Sequence, residues 1–227
     1  VAPAQEPLPD AAGASKVRFK KVWPFLLLTL MFLCILAIFA WYSFYSSPDI
    51  TITAERIIPE HCIAGQPFPV IIRISGAPDD KTTAIIIRES LPANATVLKI
   101  SPENTGGSVK NDMIKWLSKI SGRSTFAYVM RVTGKENEII KFSGTADISG
   151  DTVSAPAIGG DNTTTIGHYH WADSDKDNVI SDSEILTVHD RYNEIEGIDR
   201  YIDAIEEIWL GSGYRWKDTA KSLEILD

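Results

Sequence analysis

The sequence predicts a mainly β protein with a smaller α part: one apolar N-terminal helix, a β-sandwich, and a small helical module built around an acidic loop. Three observations predict it. Residues 22–45 carry no charged side chain, residues 49–167 alternate apolar and polar positions in short runs, and residues 173–184 place carboxylates at regular spacing before a helical pattern. The 227 residues are enough for one large domain or two small ones, with apolar content sufficient for a core.

The first stretch, residues 1–21, reads as a tail. "VAPAQEPLPDAAGAS" is rich in Ala and Pro and has too little apolar content to order itself, so it is expected to need a partner to hold it. Residues 22–45, "VWPFLLLTLMFLCILAIFAWYSFY", form a helix of about 36 Å at ~1.5 Å per residue, against a hydrocarbon core of about 30 Å. Pro24 falls in the first turn, where a missing N–H costs little. Trp23 at one end and Trp41, Tyr42 and Tyr45 at the other suit the two bilayer interfaces. Lys16, Arg18, Lys20 and Lys21 precede the segment; Asp49, Glu55 and Glu60 follow it. The positive-inside rule therefore puts the N-terminus in the cytoplasm and everything after Ser47 outside the inner or plasma membrane, in the periplasm or at the cell surface. A cleaved signal peptide fits less well, because the apolar run exceeds the usual signal core and no small-x-small site follows.

Cys34 lies within this segment and Cys62 beyond it, so the two do not pair within one chain. Neither belongs to a CxxC or CxxCH, which argues against zinc knuckles and covalent haem. Cys62 is left as a free thiol or a bridge to another chain.

Residues 49–167 have the period of strands. "FPVIIRIS" puts Phe68, Val70, Ile72 and Ile74 on one face, and "TFAYVMRV" does the same with Phe126, Tyr128, Met130 and Val132. "IKFSGTADI" reads as one strand with Ile140, Phe142, Gly144, Ala146 and Ile148 inward. The turns "GAPDD", "SLPAN", "NTGGSVKND" and "SGDT" punctuate the runs, giving a sandwich of immunoglobulin-like type. The succession "AGQPFPVIIRI", "ESLPANATVLKISP", "GGSVKNDMIKW", "STFAYVMRVTG", "IIKFSGTADISGD" and "IGGDNTTTIG" resembles the immunoglobulin-like repeats of bacterial surface and secreted proteins. That resemblance implies a spacer or interaction module and says little of function. No GxSxG, HExxH, phosphate loop or dinucleotide fingerprint occurs, so no catalytic residue is assigned and a non-enzyme is expected.

Residues 168–227 hold the charge. From residue 171 onward there are fifteen acidic and six basic side chains, which accounts for the chain's net charge of −8. That balance excludes nucleic acid as a partner and favours a cation. "DSDKDNVISDSE" follows the twelve-residue calcium loop: Asp173, Asp175 and Asp177 at positions 1, 3 and 5, the Val179 carbonyl at 7, Ser181 at 9 directly or through water, and Glu184 at 12. Four carboxylates around one point repel by roughly 3 kcal/mol per pair at about 5 Å and an effective dielectric near 20; Ca²⁺ reverses that sign. Position 6 is Asn178 where glycine is usual, a residue that tolerates the positive φ needed there. Ile180 at position 8 is expected in the module's core. No helix is expected before the loop, where "GHYHW" stands, and His168 and His170 read as incidental. After it, Ser181 or Asp182 caps a helix carrying Glu184, Ile185, Val188 and Tyr192, ending near Gly197. A second helix, with Ile198, Ile202, Ile205 and Trp209 at helical spacing, stops at Gly211 and Gly213.

This loop-then-helix layout over residues 171–216 resembles a dockerin, a calcium-dependent docking module of bacterial surface and cellulosomal proteins. The resemblance implies Ca²⁺, a small EF-hand-like helical fold and a cohesin-like partner. It departs from the pattern where a second calcium loop would stand: "GIDRYIDAIEEIWLGSGYRW" has no ligand spacing. The expected function is a non-catalytic single-pass membrane protein whose outer domains bind other protein subunits of a membrane complex. The alternatives are a surface-display or adhesion protein docking a cohesin-like or glycan partner, and an extracytoplasmic hydrolase.

Overall fold

The computed structural model describes residues 23–45, 52–103, 107–148, 155–193, 195–217, 219–220 and 222–227. The tail expected over 1–21, the acidic flank at Asp49 and the turn "SGDT" lie outside the described residues. The chain divides into two compact units, Val1–Asp49 and Ile50–Asp227.

In the first unit, helix α1 spans Trp23–Tyr45. Its segment Pro24–Trp41 has a mean hydropathy of 2.5 and is fully exposed, so length and composition allow it to cross a membrane. The apolar side chains run all round the helix with no polar face, as a lipid-facing helix requires.

The second unit is mostly β. Its strands are β1 (Thr53–Ile57), β2 (His61–Ile63), β3 (Phe68–Ser75), β4 (Thr83–Ser90), β5 (Ala95–Ser101), β6 (Ser108–Val109), β7 (Met113–Ile120), β8 (Ser124–Val132), β9 (Ile139–Lys141), β10 (Ser143–Ile148), β11 (Gly159–Gly160) and β12 (Thr163–Gly167). Helices α2 (Asp182–Tyr192) and α3 (Asp199–Leu210) and a hairpin, β13 (Tyr214–Lys217) with β14 (Ser222–Ile225), complete it. A five-stranded sheet runs β11-β1-β3-β8-β5 and a four-stranded sheet β10-β4-β7-β6. A three-stranded sheet, β2-β12-β9, closes one side.

The two larger sheets share one apolar core. Val70, Ile72, Ile74, Phe126, Tyr128 and Met130 from the first meet Ile85, Ile87, Ile114 and Trp116 from the second, all 2% exposed or less. Their positions are the alternate ones of each strand, so the pleat alone delivers them to one face. Each such burial is worth about 1.5–3 kcal/mol. A buried ion pair borders this core: Arg56, 1% exposed, grips Glu89, 0% exposed, through Nε–Oε1 and Nη2–Oε2 contacts of 2.7 Å each. The Tyr128 hydroxyl donates to Oε1 at 3.1 Å.

The expected strand over "IKFSGTADI" divides in two. β9 pairs with β12, whereas β10 pairs with β4 in a different sheet. At the junction the Phe142 N–H donates to the Asn162 carbonyl at 2.8 Å, one step beyond the β9–β12 pairs in the same register, before the chain passes to β4. The ring of Phe142 stays in the core at 5% exposed, so the alternation survives a change of sheet.

A second core covers the opposite face of the five-stranded sheet. Ile71, Ala127 and Val129, the odd residues of β3 and β8, cluster with Ile185, Val188, Ile195, Ile198, Ile202 and Ile205 of the helical part. β3 and β8 are therefore buried on both faces, which explains their continuous apolar runs. In α3 the inward residue is Ile208, 4% exposed, and the expected Trp209 sits at the surface, 38% exposed, its Nε1 donating to Asp182 Oδ1 at 2.9 Å. Positions 198, 202, 205 and 209 fit helical spacing, but so do 202, 205 and 208, and the second stripe is the one that faces the sheet.

Candidate metal centre

Residues 168–171 enter the acidic loop without a helix, and α2 begins at Asp182, so the last three loop positions already belong to its first turn. Ile180 is 1% exposed and anchors the loop in the second core, its expected place. The loop is wound so that carboxylate oxygens of Asp173, Asp175 and Asp177 lie within 4.8 Å of one another. Two residues take positive φ to achieve this, Lys176 at 65° and Asn178 at 68°. The sequence indicated Asn178; Lys176 carried no signal.

Asp173 is the fixed point. It is 0% exposed, and its Oδ1 accepts the backbone N–H groups of Lys176 at 2.7 Å and Asp177 at 3.2 Å. Its Oδ2 accepts the Asn178 N–H at 3.0 Å and the Tyr214 hydroxyl at 2.5 Å. Asp175 and Asp177 are exposed at the loop's outer side, each accepting one local N–H: that of Asp177 at 3.3 Å and that of Val179 at 2.8 Å. Desolvation, and next the nearby charges of Asp177, Glu184 and Asp173, hold the Asp175 carboxyl above its ordinary range.

Glu184 is 6% exposed and turns its carboxylate toward the loop's start. Oε1 accepts the N–H of Ser174 at 2.5 Å and its hydroxyl at 2.8 Å; Oε2 accepts the Ser181 N–H and hydroxyl at 2.8 Å each. The Ser181 contact closes the first turn of α2 as the reciprocal arm of a capping box does. Burial works to raise the Glu184 carboxyl, but these donors outweigh it and the group is held below its usual value. The three aspartates thus gather into one group, while Glu184 and Ser181 bond each other at its margin. Val179 is 38% exposed and its N–H belongs to Asp177.

The C-terminal hairpin, which sequence reading missed, braces the loop. Tyr214, 1% exposed, accepts the His170 N–H at 2.7 Å while donating to Asp173, and its own N–H donates to the Asn178 carbonyl at 2.9 Å. Gly213 precedes it at φ 128°, where a Cβ would stand 2.8 Å from the Asn178 carbonyl oxygen, so only glycine lets the hairpin approach this closely. His170, 9% exposed, is part of the same brace: its Nδ1 accepts the Ala172 N–H at 3.2 Å, which requires the neutral ring. Burial, and secondarily the charge of His61, push its pKa down to about 3. His170 was read as incidental, and nothing in "GHYHW" distinguishes it.

No family model and no curated protein matches the chain. Among solved structures, a chain of the CaDoc0917–CaCohA2 complex, crystallised at pH 5.5, is similar at 12% identity and a TM-score of 0.37. The match covers 51% of this chain and 99% of that one.

Proposed function

We propose that the protein is a non-catalytic, single-pass membrane protein whose outer domains associate with other protein subunits, and that Ca²⁺ held by Asp173, Asp175, Asp177, the Val179 carbonyl, Ser181 and Glu184 fastens its helical module. The observation that carries this reading is the convergence of the three aspartates around a loop with left-handed Asn178. The donor set is all oxygen and rich in carboxylate, which suits a hard cation with six to eight ligands and disfavours zinc or copper. Calcium would draw Glu184 inward as the closing ligand and neutralise the charge crowded at Asp175.

On this reading α1 spans the bilayer with its N-terminus in the cytoplasm, the sheets form an immunoglobulin-like sandwich outside, and residues 168–227 make a dockerin-like, EF-hand-like cap. An apolar helix exposed along its length and an acidic helical lobe support association, and no reactive constellation is assigned. The test is isolation of the tagged full chain from its native membrane in millimolar calcium and in chelator. A fixed set of co-purifying membrane subunits, retained in calcium and lost in chelator, is the expected result. A chain that emerges alone in both conditions overturns the association, and metal-dependent turnover overturns the non-catalytic part.

A further inference from the structure

Helix α2 turns one face toward a cleft of about 490 Å³, which Ser174 and Glu184 of the acidic loop also line and whose opposite wall comes from the segments at the starts of β2 and β12. That volume lies within the ~300–1,000 Å³ of ordinary small-molecule sites. Thr187 and Arg191 project from the helix four residues apart, Glu60 and Asp161 face them, and Trp171 and Tyr192 close the apolar side. The aromatic pair is held rigidly: Trp171 meets Tyr192 edge-on, with ring centroids 5.2 Å apart at 76°, and leans on His170 at 5.5 Å.

Three carboxylates line this cleft, and two of them already have partners: Glu184 accepts bonds from Ser174 on Oε1 and from Ser181 on Oε2. Glu60 is already paired with Lys176 Nζ at 2.9 Å. Asp161 is fixed by the Ile58 N–H, which donates to Oδ2 at 3.1 Å; Oδ1 takes no such bond among the described residues. Asp161 and Arg191 both act on the Tyr192 phenol, so anion, cation and hydroxyl meet at one end. A phosphate or carboxylate would face Glu60, Asp161 and Glu184; a lysine side chain would find Glu60 paired with Lys176 and Glu184 bonded to Ser174 and Ser181, and would meet Arg191 beside Asp161. A purely apolar guest would strip water from Asp161 and Arg191 without replacing their bonds. A ligand hydroxyl both donates and accepts, and so satisfies an acceptor on one wall and a donor on the other. Aliphatic C–H groups of the same ligand would rest against the aromatic side.

We propose that this cleft binds a neutral glycan residue, recognised through its hydroxyls by Asp161, Arg191 and Thr187 and packed against Trp171 and Tyr192. The side chains assigned to the ligand are not metal ligands, although Glu184 lines the same cleft, and the inference is separate from the association proposed above.

The experiment uses the full chain in a detergent without a sugar headgroup, since a glucoside or maltoside would compete. Saturation-transfer NMR and tryptophan fluorescence follow titration with maltose, cellobiose, mannobiose and N,N′-diacetylchitobiose, with tetralysine and inorganic phosphate as comparators. Saturable binding of at least one disaccharide is expected, weakened about tenfold or more, roughly 1.4 kcal/mol, in Arg191→Ala and in Asp161→Asn. Arg191 is exposed, so its variant should melt with the parent, and that control separates lost binding from lost folding. Three results overturn the proposal: no disaccharide binding at tens of millimolar, binding undiminished in both variants, or binding of tetralysine or phosphate in preference to every disaccharide. Because Glu184 lines the cleft, the titrations are run in both calcium and chelator; Asp161 and Arg191 are not metal ligands, so the response of their variants tests the cleft while metal binding tests the calcium reading.

Discussion

Removing a single oxygen tests whether the C-terminal hairpin holds the acidic loop. In Tyr214→Phe the ring and its contact with His170, centroids 6.2 Å apart, are retained, and only the hydroxyl is lost. Two bonds go with it. The His170 N–H, in a residue 9% exposed, is left without its acceptor, at a cost of about 1–3 kcal/mol. Asp173 loses a charge-assisted donor at 2.5 Å but keeps three backbone N–H groups, so the second loss is nearer the lower end of ~1.5–3 kcal/mol. Because both losses relax together, the expected destabilisation is about 2–4 kcal/mol. With an m-value of about 1–3 kcal/mol per molar, the urea midpoint should fall by roughly 1–2 M. The assay is urea unfolding of the full chain, followed by near-ultraviolet circular dichroism, with and without calcium. A change below about 0.5 kcal/mol, the size of an ordinary surface substitution, would show that the hairpin does not brace the loop.

Two further outcomes follow from buried groups. Glu89→Gln leaves the Arg56 charge inside the sandwich without its counterion and should cost about 3–5 kcal/mol in denaturant melts; a loss under 1 kcal/mol would mean that water reaches the pair. For His170 the folded pKa of about 3 lies below the ordinary 6.5, so its contribution is fully present above pH 6.5 and is lost as pH falls from there toward 3. Stability should drop by about 2 kcal/mol between pH 7.5 and 5, at roughly 1.4 kcal/mol per unit, and His170→Gln should flatten that slope; an unchanged slope contradicts a neutral buried ring.

The parts of the fold that could be read in advance are those dictated by local periodicity. α1 follows from an uninterrupted apolar run, and β3 and β8 from alternation that the pleat converts into one buried face. What alternation could not disclose is that Ile71, Ala127 and Val129, on the other face, are also covered, because the cover is supplied by helices far along the chain. The division of β9 from β10 at Phe142 likewise depends on distant partners, β12 for the one and β4 for the other. Trp209 and Ile208 compete for one inward position, and a stripe count cannot choose between them until the sheet is in place.

At the candidate site, the spacing of Asp173, Asp175 and Asp177 and the left-handed turn at Asn178 were legible because a twelve-residue loop specifies its own geometry. Tyr214 and Gly213 were not, since their role depends on a hairpin returning across roughly forty residues to meet Asn178 and Asp173. The Arg56–Glu89 pair was hidden for the same reason: two charged residues in separate strands look solvated until register brings them together.

The most direct measurement is a calorimetric titration of the full chain with calcium, beside melting curves in calcium and in chelator. The account predicts one ion per chain, with a dissociation constant of about 10⁻⁴–10⁻³ M, and about 1.4 kcal/mol of stabilisation at tenfold excess over that constant, abolished in Asp173→Asn. No saturable heat at millimolar calcium, together with superimposable melting curves, would contradict it.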